Sequence, residues 1–193
     1  MVANVKKSVL VLTSGGIDST VLAKHYLDKG FNASGLFVDH NQGMLDFERV
    51  AVRKIEEILG LTAFEVAGGD FQYQGFFGPV RNAYLLTLAV NYAATHGFGN
   101  VAIGVSHGEY LDVRPEFIDR FNFVLDYCLK DPIYVLAPFA HWSKERVIKY
   151  GVKIKAPLNL TTSCMEYPSC GKCQDCRLRR KYGLDYQWIE RKR

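Results

Sequence analysis

Along this chain the hydrophobic pattern changes period repeatedly, and the changes predict alternating strands and helices. Residues 8–13 form a short apolar run ending in glycines, the pattern of a buried strand. From 18 to 29, Val21, Leu22, Tyr26 and Leu27 recur at helical spacing, and Gly30 closes the segment. Residues 34–39 read as a second strand, 45–59 as a charged amphipathic helix stopped by Gly60, and 62–66 as a third strand. The stretch 68–79 is rich in glycine and aromatic residues and reads as a functional loop or lid. Beyond it the pattern predicts a long helix at 81–96, a strand at 101–105, a helix at 115–129 with Pro115 in its first turn, and a strand at 133–136. Ser143 is placed to cap a helix over 143–150, which Gly151 is expected to end. From 156 onward the periodicity fails.

Such alternation implies an α/β fold, a doubly wound parallel sheet with helices on both faces. Ligands in these sheets bind beyond the carboxyl ends of the strands, near the point where strand order reverses. The 193 residues, 48% of them hydrophobic, suffice for one well-buried domain. We divide it into a core over 1–160 and a C-terminal segment over 161–193. No internal repeat or low-complexity stretch interrupts it.

Charge narrows the function classes only slightly. The formal net charge is +4, and much of the basic excess lies late, in Arg177, Arg179, Arg180, Lys181 and 191–193. That argues against a dedicated nucleic-acid binder and leaves room for a local basic patch. No apolar run approaches the roughly 20 residues that a membrane helix needs. The apolar run at 8–13 is too short for a secretion signal and leads into a glycine turn, so a cytoplasmic location is expected.

Chemistry concentrates just after the predicted strands. Ser14-Gly15-Gly16-Ile17-Asp18-Ser19-Thr20 follows the first strand and opens the first helix. Two glycines permit a tight turn with amides pointing into one concavity, and the helix adds unpaired N–H groups and its positive dipole end. Ser14, Ser19 and Thr20 add hydroxyls. The assembly suits a phosphate or pyrophosphate, with Asp18 either capping the helix or helping to hold Mg²⁺. It is neither a Walker loop nor a dinucleotide-binding GxGxxG. A ligand-free strand-to-helix turn is the alternative.

Three further clusters accompany it. Asp39-His40-Asn41-Gln42-Gly43 follows the second strand, where Asp39 and Gln42 either line a nucleoside or form a polar turn. Arg81 and Asn82 stand at a helix start, unfavourable for a cation unless an anion is present; Arg81 either meets a phosphate or carboxylate or is merely exposed. The segment from Gly104 to Phe117 carries His107, Glu109, Asp112, Arg114 and Glu116. It suits a polar ring with amide and amine edges, or is a solvated loop.

The fifth cluster is Cys164, Cys170, Cys173 and Cys176, four of the five cysteines. Four thiolates at this spacing can close a tetrahedral site around structural zinc. An iron–sulfur cluster or a redox Cys-x-x-Cys is the alternative. Cys128 sits in an apolar helix and reads as a core residue; His25 and His96 read as surface positions.

Ser-Gly-Gly-x-Asp-Ser resembles the PP-loop of the ATP-pyrophosphatase superfamily. The whole series resembles the 7-cyano-7-deazaguanine synthase (QueC-like) family. It runs through Ser14–Thr20, Asp39–Gln42, Pro79–Asn82, Asp112 with Arg114-Pro115-Glu116-Phe117, Ala137-Pro138, Ser143-Lys144-Glu145, Thr162-Ser163-Cys164 and Cys170-Gly171-Lys172-Cys173. The chain departs from that family in its shortness, in Val80 where glycine is usual, and in the loop 106–112. The resemblance implies an ATP-dependent carbon–nitrogen ligase that turns 7-carboxy-7-deazaguanine and ammonia into the nitrile preQ0, with ATP, Mg²⁺ and Zn²⁺ as cofactors. An enzyme that stops at the amide, or forms another amide, is the alternative. It implies ATP on Ser14, Gly15, Gly16, Asp18, Ser19, Thr20, Asp39, Gln42, Arg81 and Asn82, with Ser14, Asp18 and Ser19 catalytic. It implies the deazapurine on Gly104, Asp112, Arg114 and Glu116. A homodimer is suggested by the resemblance alone, and no stable nucleic-acid partner is expected. Two rivals remain. A PP-loop tRNA thiolation enzyme would need a cysteine at the active edge. A non-enzymatic zinc and nucleotide-binding module would leave the intact loop unexplained.

Overall fold

The computed structural model describes residues 7–69, 80–107, 111–166 and 169–184. Of the loop expected at 68–79, positions 70–79 lie outside the described residues, as do 108–110 of the segment after 104. Five parallel strands, β1 (Ser8–Leu12), β2 (Asn32–Asp39), β3 (Thr62–Ala67), β4 (Asn100–Ile103) and β5 (Tyr134–Leu136), form a sheet of order β3-β2-β1-β4-β5. Between and after them run α1 (Ile17–Asp28), α2 (Leu45–Leu59), α3 (Arg81–His96), α4 (Pro115–Cys128), α5 (Lys144–Lys153) and α6 (Gln174–Lys181).

The inner strands are continuously apolar because both faces are covered. Along β1, Leu10 and Leu12 enter one core with Leu86, Ala89, Val90 and Ala93 of α3 and Ile118 and Leu125 of α4. Val9 and Val11 enter the other, with Val21 and Leu22 of α1 and Val147 and Ile148 of α5. From β1 the chain moves outward to β2 and β3, then returns to β4 and β5 on β1's other side. In sheets of this kind such a reversal, here between β1 and β4, is where a binding crevice forms beyond the carboxyl ends of the strands.

Several expectations need correction. Gly151 does not end α5, which runs on to Lys153. A Cβ at Gly151 would lie 2.6 Å from Val21 Cγ2, so this glycine serves the close crossing of α5 over α1. His25 is buried, not on the surface, and its Nδ1 lies 2.8 Å from the Tyr150 hydroxyl. Burial pushes its pKa below the ordinary histidine value, with Lys29 adding to the effect. Cys128 is exposed, because it lies at the last residue of α4 and off the apolar stripe. Beyond 156 the chain is not aperiodic throughout: α6 forms, capped by the Cys173 sulfur accepting from the Cys176 amide. Its polar sequence hides it from a hydrophobic pattern.

Candidate functional site

The loop between β1 and α1 sits at the crevice. Gly15 has φ +69°, and a Cβ there would meet Ala51 Cβ at 2.9 Å and the Glu48 carbonyl at 3.0 Å. Only glycine fits both the backbone and the space. Gly16 is the N-cap of α1 and brings no side chain to it. Helix α1 therefore starts with amides that no cap residue satisfies, which is the arrangement that favours an anion. Ser14 and Ser19 hold the turn together. The Ser14 amide donates to Ser19 Oγ at 3.3 Å, the two hydroxyl oxygens are 3.2 Å apart, and Thr20 Oγ1 donates to the Gly16 carbonyl at 2.8 Å.

Asp18 stands in the first turn of α1. Its Oδ2 accepts from Lys144 Nζ at 2.7 Å and from Ser106 Oγ at 3.5 Å. Its Oδ1 is buried and finds no hydrogen-bond partner among the described residues. A buried carboxylate oxygen without a donor fits a hard divalent cation, which takes oxygen ligands. Burial disfavours the Lys144 charge, but the carboxylates of Asp18 and Asp175 outweigh it and hold the ammonium above the ordinary lysine pKa. Gly104, after β4, closes this side. A Cβ there would lie 2.6 Å from Ser19 N and 2.7 Å from the Asp18 carbonyl carbon, so the two loops meet backbone to backbone.

The flanking clusters also converge. The Asp112 carboxylate accepts from the Asn82 amide at 3.1 Å, and Asn82 Nδ2 donates to the Asp112 carbonyl at 3.1 Å. Asp112 thus caps α3 and joins the third and fourth clusters. Burial lowers the His40 pKa and raises that of Glu48; the Arg81 charge deepens the first shift and opposes the second. Arg81, the first residue of α3, thus acts electrostatically on His40 in the turn after β2 and on Glu48 of α2. In that turn, Gln42 Oε1 accepts from the His40 amide, and Nε2 donates to the Val38 carbonyl and to Glu48. Asp39 pairs with Arg49 at 2.7 Å. Arg114 and Glu116 are exposed at the start of α4, where the Arg114 carbonyl accepts from Phe117 and Ile118.

The four-cysteine cluster forms a compact group, with all four sulfurs within 4.8 Å of one another. Cys170 and Cys176 sulfurs are 4.0 Å apart, near the ~3.8 Å edge of a tetrahedron of metal–thiolate bonds. Amides of Cys170, Cys173 and Cys176 donate to the sulfurs of Cys164, Cys170 and Cys173 in turn. Amides of Lys172 and Cys173 draw the Cys170 thiol down to about 7, while burial pushes Cys176 up to about 12. A cation among the sulfurs would remove that conflict, and the donor set fits a thiophilic metal ion.

A family model described as queuosine biosynthesis protein QueC matches residues 67–186, and one described as thiamine biosynthesis protein ThiI matches 4–72. The chain belongs to the QueC family. It is 33% identical to a 7-cyano-7-deazaguanine synthase of Haloarcula marismortui, over 88% of this chain and 87% of that one. The corresponding protein of Thermoplasma volcanium is 30% identical over 91% of this chain and 86% of its own. That of Sulfolobus acidocaldarius is 31% identical over 91% of this chain, but the chain spans only 45% of its length. Among solved structures, an NMN synthetase from Francisella tularensis shares the fold at TM-score 0.54 and 19% identity, covering 95% of this chain and 75% of that chain. An NH3-dependent NAD synthetase from Campylobacter jejuni does so at 0.52 and 13%, covering 82% and 68%.

For this QueC-family chain, sequence reasoning singled out the loop, the segment after β4 and the cysteines. It took Lys144 only as part of a resemblance, and missed its pairing with Asp18 across 126 positions. Thr162 likewise entered only as part of a resemblance, without the contact in which its amide donates to the Gly15 carbonyl at 2.8 Å, and Arg179 entered only in the late basic excess, without its burial. A cation set in a polar helix carries no periodic signal. Among the described residues, no helix is long and apolar enough to cross a membrane.

Proposed function

We propose that the protein is an ATP-dependent carbon–nitrogen ligase that converts 7-carboxy-7-deazaguanine and ammonia into 7-cyano-7-deazaguanine. The observation that carries this reading is the glycine cradle at Gly15 and Gly16, with the donor-less Asp18 oxygen beside it at the sheet's switch point. A carboxylate oxygen of the substrate attacks the α-phosphate of ATP, forming an acyl-adenylate and releasing pyrophosphate. Ammonia adds to the activated carbon, and AMP leaves with the former carboxylate oxygen, giving the amide. The amide oxygen then attacks the α-phosphate of a second ATP and releases a second pyrophosphate. Loss of AMP and of the two nitrogen-bound protons leaves the nitrile.

The chain's residues supply binding and charge. Loop amides and the Ser14, Ser19 and Thr20 hydroxyls receive the departing pyrophosphate, whose charge the dipole of α1 stabilises. Asp18 would hold Mg²⁺, which when bound would neutralise charge on the phosphates. Lys144 keeps Asp18 in place. Asp39, Gln42, Arg81 and Asn82 border the nucleotide. Gly104, Asp112, Arg114 and Glu116 border the deazapurine. Cys164, Cys170, Cys173 and Cys176 would hold a structural Zn²⁺, for a four-thiolate shell would leave no open position on the metal. The core over 1–160 thus carries the chemistry and the segment over 161–193 braces it.

The test is product analysis with ATP, ammonia and 7-carboxy-7-deazaguanine. AMP and pyrophosphate should appear only with the carboxylate present, with two ATP consumed per nitrile. Release of ADP and phosphate would overturn the assignment of the cleaved bond. One ATP per molecule, with the amide accumulating, would replace the nitrile reading by an amide-forming ligase.

A further inference from the structure

Among the described residues, Arg179 has the largest side chain of those fully buried, at 2% exposure. A guanidinium withdrawn from water is expensive unless its donors are used. Here Nη1 donates to Thr161 Oγ1 at 2.7 Å and Nη2 to the Leu158 carbonyl at 3.4 Å. Thr161, itself fully buried, donates a hydrogen bond from its hydroxyl to the same Leu158 carbonyl at 2.7 Å. Arg179 and Thr161 therefore fasten a short 3-10 turn, Leu158–Leu160, from two sides.

That turn leads straight to the nucleotide loop. The next residue after Thr161 is Thr162, whose amide donates to the Gly15 carbonyl, and whose own carbonyl lies 3.6 Å from the place a Gly16 Cβ would take. Gly15 and Gly16 have no side chains with which to hold themselves, so the Thr162 strap supplies an outside restraint on the cradle. At its other end, Arg179 lies one turn beyond Cys176 in α6, a helix that begins at Cys173. The same cation also acts electrostatically on Lys144, the partner of Asp18.

We infer that Arg179 is a positioning residue for the nucleotide loop: through Thr161 and Thr162 it sets the Gly15 carbonyl, and it joins the four-cysteine segment to ATP binding. This rests on the loop being the ATP site. A merely structural arginine would affect stability and both substrates alike. A positioning residue affects the nucleotide selectively, and it loosens the 158–163 strap without loss of the metal site.

The experiment compares wild type with Arg179→Lys, Arg179→Met and Thr161→Val, the last keeping shape and removing the bridging hydroxyl. Zinc content and far-UV circular dichroism establish which variants fold. Amide hydrogen exchange of peptides covering 158–163 and 13–17 reads the strap directly, and calorimetry reads ATP and 7-carboxy-7-deazaguanine affinity. In the folded variants we expect faster exchange in both peptides and ATP binding weaker by about tenfold, the worth of one lost charge-assisted hydrogen bond. Deazaguanine affinity should stay within about twofold, and KM for ATP should rise more than kcat falls. Unchanged exchange at 13–17 in Thr161→Val and Arg179→Lys overturns the inference, as does equal weakening of both ligands. If wild type binds no ATP, the ATP reading fails, yet the exchange data still decide whether Arg179 holds the loop.

Discussion

Glu56 offers the sharpest quantitative test of the packing beneath the loop. It lies on α2 at 4% exposure, and its Oε1 accepts from Thr13 Oγ1 at 3.2 Å. A Cβ at Gly35 would stand 2.1 Å from that oxygen, so β2 makes room for the carboxyl with a glycine. Burial pushes its pKa from 4.5 up to about 7; the Thr13 hydrogen bond opposes this and the Glu65 charge adds to it. An acid whose folded pKa is raised favours folding at low pH. Between 4.5 and about 7 the folded state holds a proton that the unfolded chain has released, so stability falls as pH rises through that window. At about 1.4 kcal/mol per pH unit the whole effect is roughly 3 kcal/mol, and less where water screens the carboxylate. Glu56→Gln keeps an acceptor oxygen for Thr13 at nearly the same volume and cannot ionise. Urea unfolding of both proteins, metal-replete, should show the variant's advantage widening by about 2 kcal/mol from pH 5.5 to pH 8.5. In a chain of this size that is a difference of about 4–8 °C in Tm. Parallel pH profiles would refute the reasoning, because the carboxyl would then ionise as freely in the fold as outside it.

Other outcomes follow from the same geometry. Gly104→Ala drives a Cβ into the backbone of Asp18 and Ser19; we expect a loss of about 1–3 kcal/mol in thermal unfolding and at least a tenfold fall in AMP release, and a variant with native Tm and turnover would show that the two loops do not need this contact. Asp18→Asn removes the charge facing Lys144 and the donor-less oxygen's anionic character; the Mg²⁺ concentration for half-maximal turnover should rise about tenfold, and an unchanged Mg²⁺ titration would take Asp18 out of the metal site. Cys176→Ser should bring zinc, measured by mass spectrometry, well below one per chain and lower soluble yield; full zinc occupancy would place the metal elsewhere. Asp112→Asn should weaken deazaguanine binding by about tenfold in calorimetry and ATP binding by less than twofold, whereas equal losses would mean that Asp112 serves only to cap α3.

The sequence by itself determined every element with a strong period. Helices α2 and α3 fall on the expected 45–59 and 81–96, and the strands follow the apolar runs to within a few residues. It determined the turn, because two glycines between a strand and a helix favour a tight one, and it determined that the four cysteines would meet, because they lie so close in sequence. Local spacing carries that information, since neighbours along a helix, strand or tight turn are fixed by backbone geometry. Only the tertiary structure decided the rest. Gly151 looked like a helix stop until its contact with Val21 showed a helix crossing. His25 looked like a surface residue until Tyr150 closed over it. Lys144 met Asp18, Thr162 met Gly15, and Arg179 met Thr161 through the packing of separate elements. A buried charge or glycine declares its purpose only when the partner arrives, and partners distant along the chain are chosen by how helices pack on the sheet, which no period in the sequence records.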